Sequence, residues 1–236
     1  MPEVLLIHAN LNPLKMIGNA AKVCYRTEGD ALKIARACLR SGHDRCLEFA
    51  DATLKITATA GLMRELYTHI IGTSRLQGST RYINFDDMEV PTPPSIEKDS
   101  ATDEEFTEAV DCIRSSYRFL LDLNIPKEDA RNILPLGHVS EVVLKINVRA
   151  LIHMSHKRMC SRAHWEFRQL MDSVRAVLSS VDEEWRELVE DWMVPQCQSL
   201  GYCPEERCCG KFSTKADVLE QARLYREQMA MINSEV

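Results

Sequence analysis

The hydrophobic and polar positions of the chain follow two different periods. Apolar residues alternate with polar ones over residues 52–57 and again over residues 140–148, as expected for strands with one buried face. The apolar run at residues 4–7 predicts a third strand. Most other apolar residues recur every three or four positions, which is the helical period. The pattern therefore predicts an α+β protein with more helix than strand.

Helices are predicted wherever the longer period is sustained. Asp30 precedes one helix as its N-cap and Gly42 ends it, whereas Thr102 or Asp103 is expected to cap the long acidic helix. Three prolines make residues 86–98 a loop. The predicted helices cover residues 12–25, 31–41, 102–121, 126–134, 147–171, 182–193 and 215–230.

Composition and charge narrow the possible functions. With 236 residues and 45% hydrophobic content, the chain is long enough for one sizeable domain or two small ones. Its net charge of −6 argues against nucleic acid as a partner. No apolar run approaches the roughly 18 residues of a membrane span, and residues 1–20 lack the features of a signal peptide. We therefore expect a cytoplasmic protein that binds small molecules and no membrane.

The nine cysteines fit a reducing compartment, because their number is odd and the first 160 residues show no framework spacing. Four of them, Cys197, Cys203, Cys208 and Cys209, lie close together in sequence. This cluster fits either a zinc site or free and occasionally paired thiols, although it lacks the paired C-x-x-C units of common zinc sites. We expect residues 1–195 to form the main domain, with residues 196–236 appended as a cysteine-rich turn and a helix.

Residues 64–84 combine cationic side chains with neutral hydrogen-bonding groups. Its possible cations are Arg64, His69, Arg75 and Arg81, and between them lie Ser74, Gln77, Ser79 and Thr80. Gly72 and Gly78 allow the backbone to pass close to a ligand. The composition favours a local anion-binding site on an acidic protein. The alternative is a solvated loop whose arginines pair with nearby acids.

Residues 147–171 form a second basic segment, on a predicted helix. Asn147 and Arg158 are eleven positions apart, close to three helical turns, which predicts that they share one side of that helix. His153 and His156 have a spacing that zinc can use, but no HExxH-like glutamate accompanies them, so no metal site is expected here. Neither GxGxxG nor GxxxxGK[ST] occurs, which excludes the usual Rossmann and P-loop nucleotide sites.

Both basic segments resemble the motifs of the flavin-dependent thymidylate synthases. The family signature is Arg-His-Arg, seven residues, then Ser-x-Arg. Here the second half stands as Ser79-Thr80-Arg81, whereas Thr68-His69-Ile70 replaces the first half and eight residues separate the two. Further matching blocks are Ala20 to Tyr25, the Gly-His turn at His43 followed by Leu47-Glu48 with Phe49 in place of a histidine, Arg131 to Pro135, Asn147-Val148-Arg149 with His153 and Arg158, and Ala163 to Arg168.

The resemblance implies an enzyme that converts dUMP to dTMP. Such an enzyme takes one carbon from methylenetetrahydrofolate and a hydride from reduced FAD, which NADPH regenerates. The implied fold is a mixed sheet flanked by helices, in a subunit that assembles as a homotetramer. Two alternatives stay open: a related flavoprotein with an altered reaction or substrate, and a non-catalytic nucleotide- or flavin-binding oligomer.

The same resemblance assigns roles to individual residues, and it assigns no metal ligand and no cysteine nucleophile. Arg158 is implied to be catalytic, because its guanidinium would stabilise negative charge on the uracil ring. Arg75 is the expected substitute for the arginines missing at Thr68 and Ile70. His43 also has a simpler interpretation, in which its imidazole serves only the backbone of the turn. The residues implied for dUMP are Glu65, Gln77, Ser79, Thr80, Arg81, Arg131 and Arg158, and those for FAD are His43, Arg45, His69, Arg75, Asn147, Arg149 and His153.

Overall fold

The computed structural model of the protein describes residues 2–234. The chain forms two compact units, Met1–Ala150 and Leu151–Val236. The first unit contains strands β1 (Glu3–Ala9), β2 (Asp51–Thr59), β3 (Thr73–Gln77) and β4 (Val139–Asn147), with helices α1 (Pro13–Tyr25), α2 (Ala31–Ser41), α3 (Ala60–Leu66), α4 (Ser100–Asp122) and α5 (Lys127–Ala130). Helix α6 (Val148–Arg158) begins in the last residues of the first unit. The second unit continues with α7 (Trp165–Ser179), α8 (Glu183–Glu187), α9 (Gln196–Leu200) and α10 (Lys215–Ser234).

The four strands form one antiparallel sheet in the order β1-β2-β4-β3. The α+β class is therefore confirmed, but the expected mixed sheet is wrong, because every strand pair is antiparallel. Alternation in β2 and β4 buries one face, on which Leu54 pairs with Leu144. The opposite face carries an ion pair between Lys55 and Glu141, at 2.7 Å from Nζ to Oε1. Strand β3 was not predicted, because its five residues are mostly polar and too few to show a period.

Helices α1 and α2 pack closely, and their predicted ends are confirmed. Asp30 caps α2 by accepting hydrogen bonds from the backbone N–H groups of Leu32 and Lys33, at 2.8 and 3.2 Å. A Cβ atom on Gly18 would lie only 1.9 Å from the carbonyl oxygen of Ala31. Glycine is therefore required for the close approach of the two helices.

The cap of α4 differs from the prediction. Asp99, not Thr102 or Asp103, accepts the hydrogen bonds of the first turn, from the N–H groups of Ala101 and Thr102 at 3.1 Å each. The hydroxyl of Thr102 donates instead to the carbonyl of Ile96, at 2.8 Å. Asp99 lies about one helical turn before the predicted cap, so periodicity alone placed the start too late.

A small second core joins α4 and α5 to the predicted loop. Its buried members are Phe85, Met88, Tyr117 and Ala130. Arg114 and Arg118 on α4 donate to the carbonyls of Met88 and Asp86, at 3.0 and 2.9 Å. This core fixes residues 85–90 against α5 and the 3-10 turn that follows it.

The single helix predicted over residues 147–171 is wrong. Helix α6 ends at Arg158 and α7 starts at Trp165. In the intervening turn, the backbone carbonyls of Ser161 and Ala163 accept hydrogen bonds from the guanidinium of Arg168. Asn147 is the last residue of β4, and its side chain caps α6 by accepting from the N–H of Ala150 at 2.9 Å. Asn147 therefore does not share a helical face with Arg158, because its backbone is extended.

Helix α8 begins at Glu183 with Asp182 as its N-cap and continues as a π-helical turn, Leu188–Trp192. Trp185 and Leu188 are fully buried, as their helical spacing predicted. Among the described residues, no helix combines the length and the apolar character that crossing a membrane requires.

Candidate functional site

The turn after β3 meets the end of α5 at a cluster of charged groups. Arg131 donates from Nη1 to the hydroxyl of Thr80 at 3.0 Å and from Nε to the carbonyl of Glu128 at 3.1 Å. Arg81 contacts the Glu128 carboxylate through Nε and Nη2, at 2.9 and 2.7 Å. Sequence reasoning assigned Thr80, Arg81 and Arg131 to one ligand, and the structure brings all three together.

Two further contacts hold this cluster in shape. Lys127 donates from Nζ to the carbonyl of Tyr82 at 3.0 Å, and the small second core fixes the helix that carries Lys127 and Glu128. The Arg81 guanidinium also lies 5.6 Å from the centre of the Tyr82 ring. Both arginines and Glu128 remain exposed to solvent. Two exposed guanidinium groups beside the Ser79 and Thr80 hydroxyls can bind an anion with several oxygens, such as a phosphate monoester.

Glu128 is the member of the cluster that sequence reasoning missed. It precedes Arg131 by three positions, a spacing typical of ion pairs within one helix. Its carboxylate pairs instead with Arg81, which lies 47 positions away in sequence. An incoming anion would therefore compete with Glu128 for Arg81.

A second polar group surrounds Tyr67 at the base of β3. The Tyr67 hydroxyl donates to Gln77 Oε1, and Gln77 donates from Nε2 to the Ser140 hydroxyl at 3.1 Å. Burial raises the pKa of Tyr67, which the nearby Arg75 partly opposes. These hydrogen bonds hold the Gln77 side chain against Tyr67 and Ser140. Neither of them brings Gln77 to Thr80 or Arg81.

Arg75 lies on strand β3. Its guanidinium stacks over the Tyr67 ring at 4.6 Å and donates to the carbonyl of His69 at 3.1 Å. The structure therefore brings Arg75 to the first half of the signature. On the preceding helix, the Glu65 carbonyl accepts a hydrogen bond from the Thr68 hydroxyl at 2.7 Å.

Gly72 and Asn147 form a close backbone contact. The N–H of Asn147 donates to the carbonyl of Gly72 at 3.0 Å. Gly72 has φ = +77°, and a Cβ atom there would lie 2.6 Å from Oδ1 of Asn147. This narrow space holds the Asn147 amide in a fixed position and leaves no room for a side chain at position 72.

Arg149 and Arg45 share the carboxylate of Glu48. Arg149 Nη1 lies 2.7 Å from Glu48 Oε1, and Arg45 Nε lies 3.9 Å from Glu48 Oε2. Arg45 and His43 also line an open cavity of about 330 Å³ with the thiols of Cys24, Cys38 and Cys46. Two of the residues predicted for the flavin, His43 and Arg45, thus lie in the turn at residues 43–49. Two others lie at the end of β4 and the start of α6, namely Asn147 and Arg149.

Two predicted site residues belong to the second unit. Arg158 is half-buried at the end of α6, with its guanidinium 4.7 Å from the centre of the buried Phe167 ring. His153 is exposed on the same helix. Within residues 2–234, no three His, Cys, Asp or Glu side chains are arranged to hold a metal ion.

Comparison with known proteins identifies the family. A family model described as "Thymidylate synthase complementing protein" matches residues 5–182. The flavin-dependent thymidylate synthase of Pyrococcus abyssi is 32% identical over 223 residues, covering 87% of this chain and 90% of that protein. The chain belongs to the flavin-dependent thymidylate synthase family. The resemblance inferred from the motifs is therefore confirmed.

A second relative and a solved structure support the same family assignment. The enzyme of that name from Nitratidesulfovibrio vulgaris is 29% identical over 242 residues, which cover 89% of this chain and 95% of that protein. The fold matches the crystal structure of thymidylate synthase X from Helicobacter pylori with FAD and dUMP, with a TM-score of 0.64 at 23% identity, over 82% of this chain and 99% of that one. The role of each individual site residue remains a prediction.

Proposed function

We propose that the protein is an FAD-dependent thymidylate synthase that converts dUMP to dTMP, a methyltransferase reaction. Methylenetetrahydrofolate is the proposed carbon donor and NADPH the proposed reductant. Family membership supports this proposal, and one structural observation carries it. The hydrogen bond from Arg131 to Thr80 unites two motifs that were assigned separately to the same nucleotide.

The phosphate of dUMP is proposed to bind at the cluster formed by Arg81 and Arg131. The phosphate displaces Glu128 from Arg81, while the Ser79 and Thr80 hydroxyls donate to its remaining oxygens. Glu65 and Gln77 are proposed to contact the nucleoside portion.

The residues present also fit FAD. Because position 72 is a glycine, its backbone lies close to the Asn147 side-chain amide, in space that a larger residue would occupy. These backbone and amide groups are proposed to contact FAD. Arg45, Arg75 and Arg149 offer cations for a pyrophosphate, and His43, His69 and His153 offer further donors. Bound FAD supplies the hydride for the reaction once NADPH has reduced it. Arg75 takes the place of the arginines that are absent at Thr68 and Ile70.

Arg158 is proposed to act on the pyrimidine. Negative charge grows on the uracil ring as it is activated, and a guanidinium held beside it stabilises that charge. Stacking on Phe167 orients the Arg158 side chain and reduces its freedom. A fixed cation of this kind lowers the barrier without giving up a proton.

The organisation of the protein completes the proposal. We infer a homotetramer, a cytoplasmic location, and a synthase domain at residues 1–195 that is followed by an appended segment at residues 196–236. The family model ends at residue 182, before that appended segment.

The altered signature motivates a second candidate function. Thr68, Ile70 and Phe49 stand where the family pattern has cationic or imidazole groups, and Ile70 and Phe49 are 68% and 62% exposed. Exposed apolar side chains at these positions suit a family member with a changed substrate or reaction. Such a protein binds flavin and oxidises NADPH but does not make dTMP.

One experiment separates these functions. The purified protein is expected to be yellow and to form dTMP from dUMP, methylenetetrahydrofolate and NADPH. It should also support growth of a thymidine-requiring strain without thymidine. A yellow protein that consumes NADPH without forming dTMP would favour the altered enzyme. A colourless protein that binds dUMP would favour a non-catalytic sensor.

A further inference from the structure

A group of thiols in the second unit lies outside the proposed chemistry. Cys160, Cys197, Cys203 and Cys209 line one cavity of about 150 Å³. Cys208 is adjacent, because its thiol hydrogen-bonds with that of Cys203. All five cysteines are free. The proposed synthase reaction uses none of them, so their convergence needs a separate explanation.

Hydrogen bonds to the backbone fix the positions of both Cys203 and Cys208. Cys203 donates from its N–H to the carbonyl of Ser213 at 2.8 Å and is 8% exposed. The Cys208 sulfur accepts from the N–H of Gly210 at 3.3 Å, and the Cys208 thiol donates to the carbonyl of Phe212 at 3.1 Å. Only four residues separate the two cysteines. Their sulfur atoms are therefore kept near each other without any movement of a distant segment.

We propose that Cys203 and Cys208 form a thiol–disulfide exchange site that a small disulfide oxidises. The Cys208 thiolate attacks one sulfur of the small disulfide, and the first thiolate leaves. The Cys203 thiolate then attacks the Cys208 sulfur in the mixed disulfide, and the second thiolate leaves. Two cysteine protons are transferred to the two departing thiolates. The protein loses two electrons, and the small disulfide becomes two thiols.

The environment of each sulfur sets this order. The backbone of Glu205 lowers the pKa of Cys203, but burial and the neighbouring Cys208 and Cys197 thiols outweigh it and raise that pKa. Cys208 is the more accessible of the two, because it is half-buried whereas Cys203 is buried. Cys208 is therefore the attacking thiol and Cys203 the resolving one.

A second thiol pair in the first unit provides an internal control. Cys38 and Cys46 also hydrogen-bond to each other, but burial raises the pKa of Cys46 to about 12. The Cys46 thiol lies 3.1 Å from the carbonyl oxygen of His43, to which it donates. Thiol exchange requires a thiolate, so this pair should remain reduced under conditions that oxidise Cys203 and Cys208.

Cys209 is the strongest rival for exchange. It is exposed, and hydrogen bonds from the Ser161 hydroxyl and the Lys211 backbone lower its pKa. Cys209 should form a mixed disulfide, yet a bond to its immediate neighbour Cys208 would be strained, because adjacent Cα atoms lie closer together than disulfide geometry prefers. Zinc is the other rival, although the described residues show no arrangement of three metal donors.

The test uses the full chain, reduced, desalted and treated with oxidised glutathione at pH 8. Non-reducing peptide mapping is expected to show a bond between Cys203 and Cys208, with the loss of two hydrogen atoms from the linked peptides, and a mixed disulfide with glutathione at Cys209. Dithiothreitol should reverse the change, and Cys38 and Cys46 should stay reduced. Because the map is made on the unaltered protein, it does not depend on the folding of a variant.

Two variants add a matched comparison. Cys208→Ser should abolish the new bond, whereas Cys112→Ser, which removes an exposed cysteine on α4, should leave it unchanged. A bond from Cys203 or Cys208 to Cys209, equal oxidation of Cys38 and Cys46, or no bond at all would overturn the proposal. One tightly held zinc per chain that protects these thiols would also overturn it. None of these results bears on the proposed synthase activity.

Discussion

Arg131 reaches across 51 positions of sequence to the hydroxyl of Thr80, at 3.0 Å. The same side chain holds the carbonyl of Glu128, whose carboxylate pairs with Arg81. One arginine therefore contacts both the second half of the signature and the residue whose carboxylate pairs with Arg81.

Replacing Arg131 with alanine should weaken dUMP binding. Loss of a charged hydrogen bond to phosphate predicts a rise in the dUMP dissociation constant of roughly 10- to 100-fold. Isothermal titration with dUMP measures this change, and deoxyuridine, which lacks the phosphate, should show no comparable difference between the two proteins. Arg186→Ala removes an exposed arginine that pairs with Glu183 and is the control. An unchanged affinity in Arg131→Ala would contradict the assignment.

Replacing Arg149 with alanine should lower the amount of FAD that copurifies. Arg149 pairs with Glu48, so a purely structural role would make Glu48→Gln equally harmful. If Arg149 binds the cofactor, Glu48→Gln retains more flavin, because the cation remains. Flavin absorbance per mole of protein measures both variants. Arg75→Ala should also lose flavin, and full retention there would refute its role as the substitute for the missing arginines.

Replacing Arg158 should slow the reaction more than it weakens nucleotide binding. Loss of a charge-stabilising donor predicts a fall in kcat of about 100- to 1,000-fold, with a much smaller change in dUMP affinity. Arg158→Lys should recover only part of the rate, because an ammonium cannot reproduce the flat, stacked guanidinium. Single-turnover kinetics provide the measurement. Equal losses in affinity and rate would assign Arg158 to binding alone.

Two glycines with similar backbone conformations allow the cost of backbone strain to be distinguished from the cost of a steric clash. Gly42 has φ = +71°, and a Cβ atom there would have nothing within 4 Å, whereas Gly72 has φ = +77° and a Cβ atom there would meet Asn147 at 2.6 Å. Gly42→Ala should cost about 1–2 kcal/mol of unfolding free energy from backbone strain alone. Gly72→Ala should cost more and also reduce flavin content. Urea denaturation measures both, and equal costs would mean that Asn147 moves aside freely.

The cap of α2 predicts a pH-dependent contribution to stability. The backbone N–H groups of Lys33 and Leu32 lower the pKa of Asp30 below its ordinary value. The stabilisation is therefore present above the unfolded pKa and is lost as the pH falls through the lower folded pKa. Asp30→Ala should lower Tm at pH 7, and the difference should shrink in acid. A difference that stays constant down to strongly acidic pH would contradict this explanation.

Local patterns predicted the regular parts of the fold. Alternation located β2 and β4, and the Asp30 and Gly42 signals located both ends of α2. The same rules failed at β3 and at the break between α6 and α7. Strand β3 forms because β4 supplies its hydrogen-bond partners, and the break is satisfied by Arg168 donating to carbonyls of the turn. Neither partner is visible in a short window of sequence.

By itself, the sequence determined the family, the two basic segments and the residue types at the candidate site, because short motifs keep their order and chemistry whatever the fold. Which of these residues meet became clear from the folded chain. It placed Arg131 on Thr80, paired Glu128 with Arg81, and moved Asn147 from a helix to the end of a strand. These outcomes depend on strand pairing and on a small core around Tyr117, which are long-range contacts that no local period encodes.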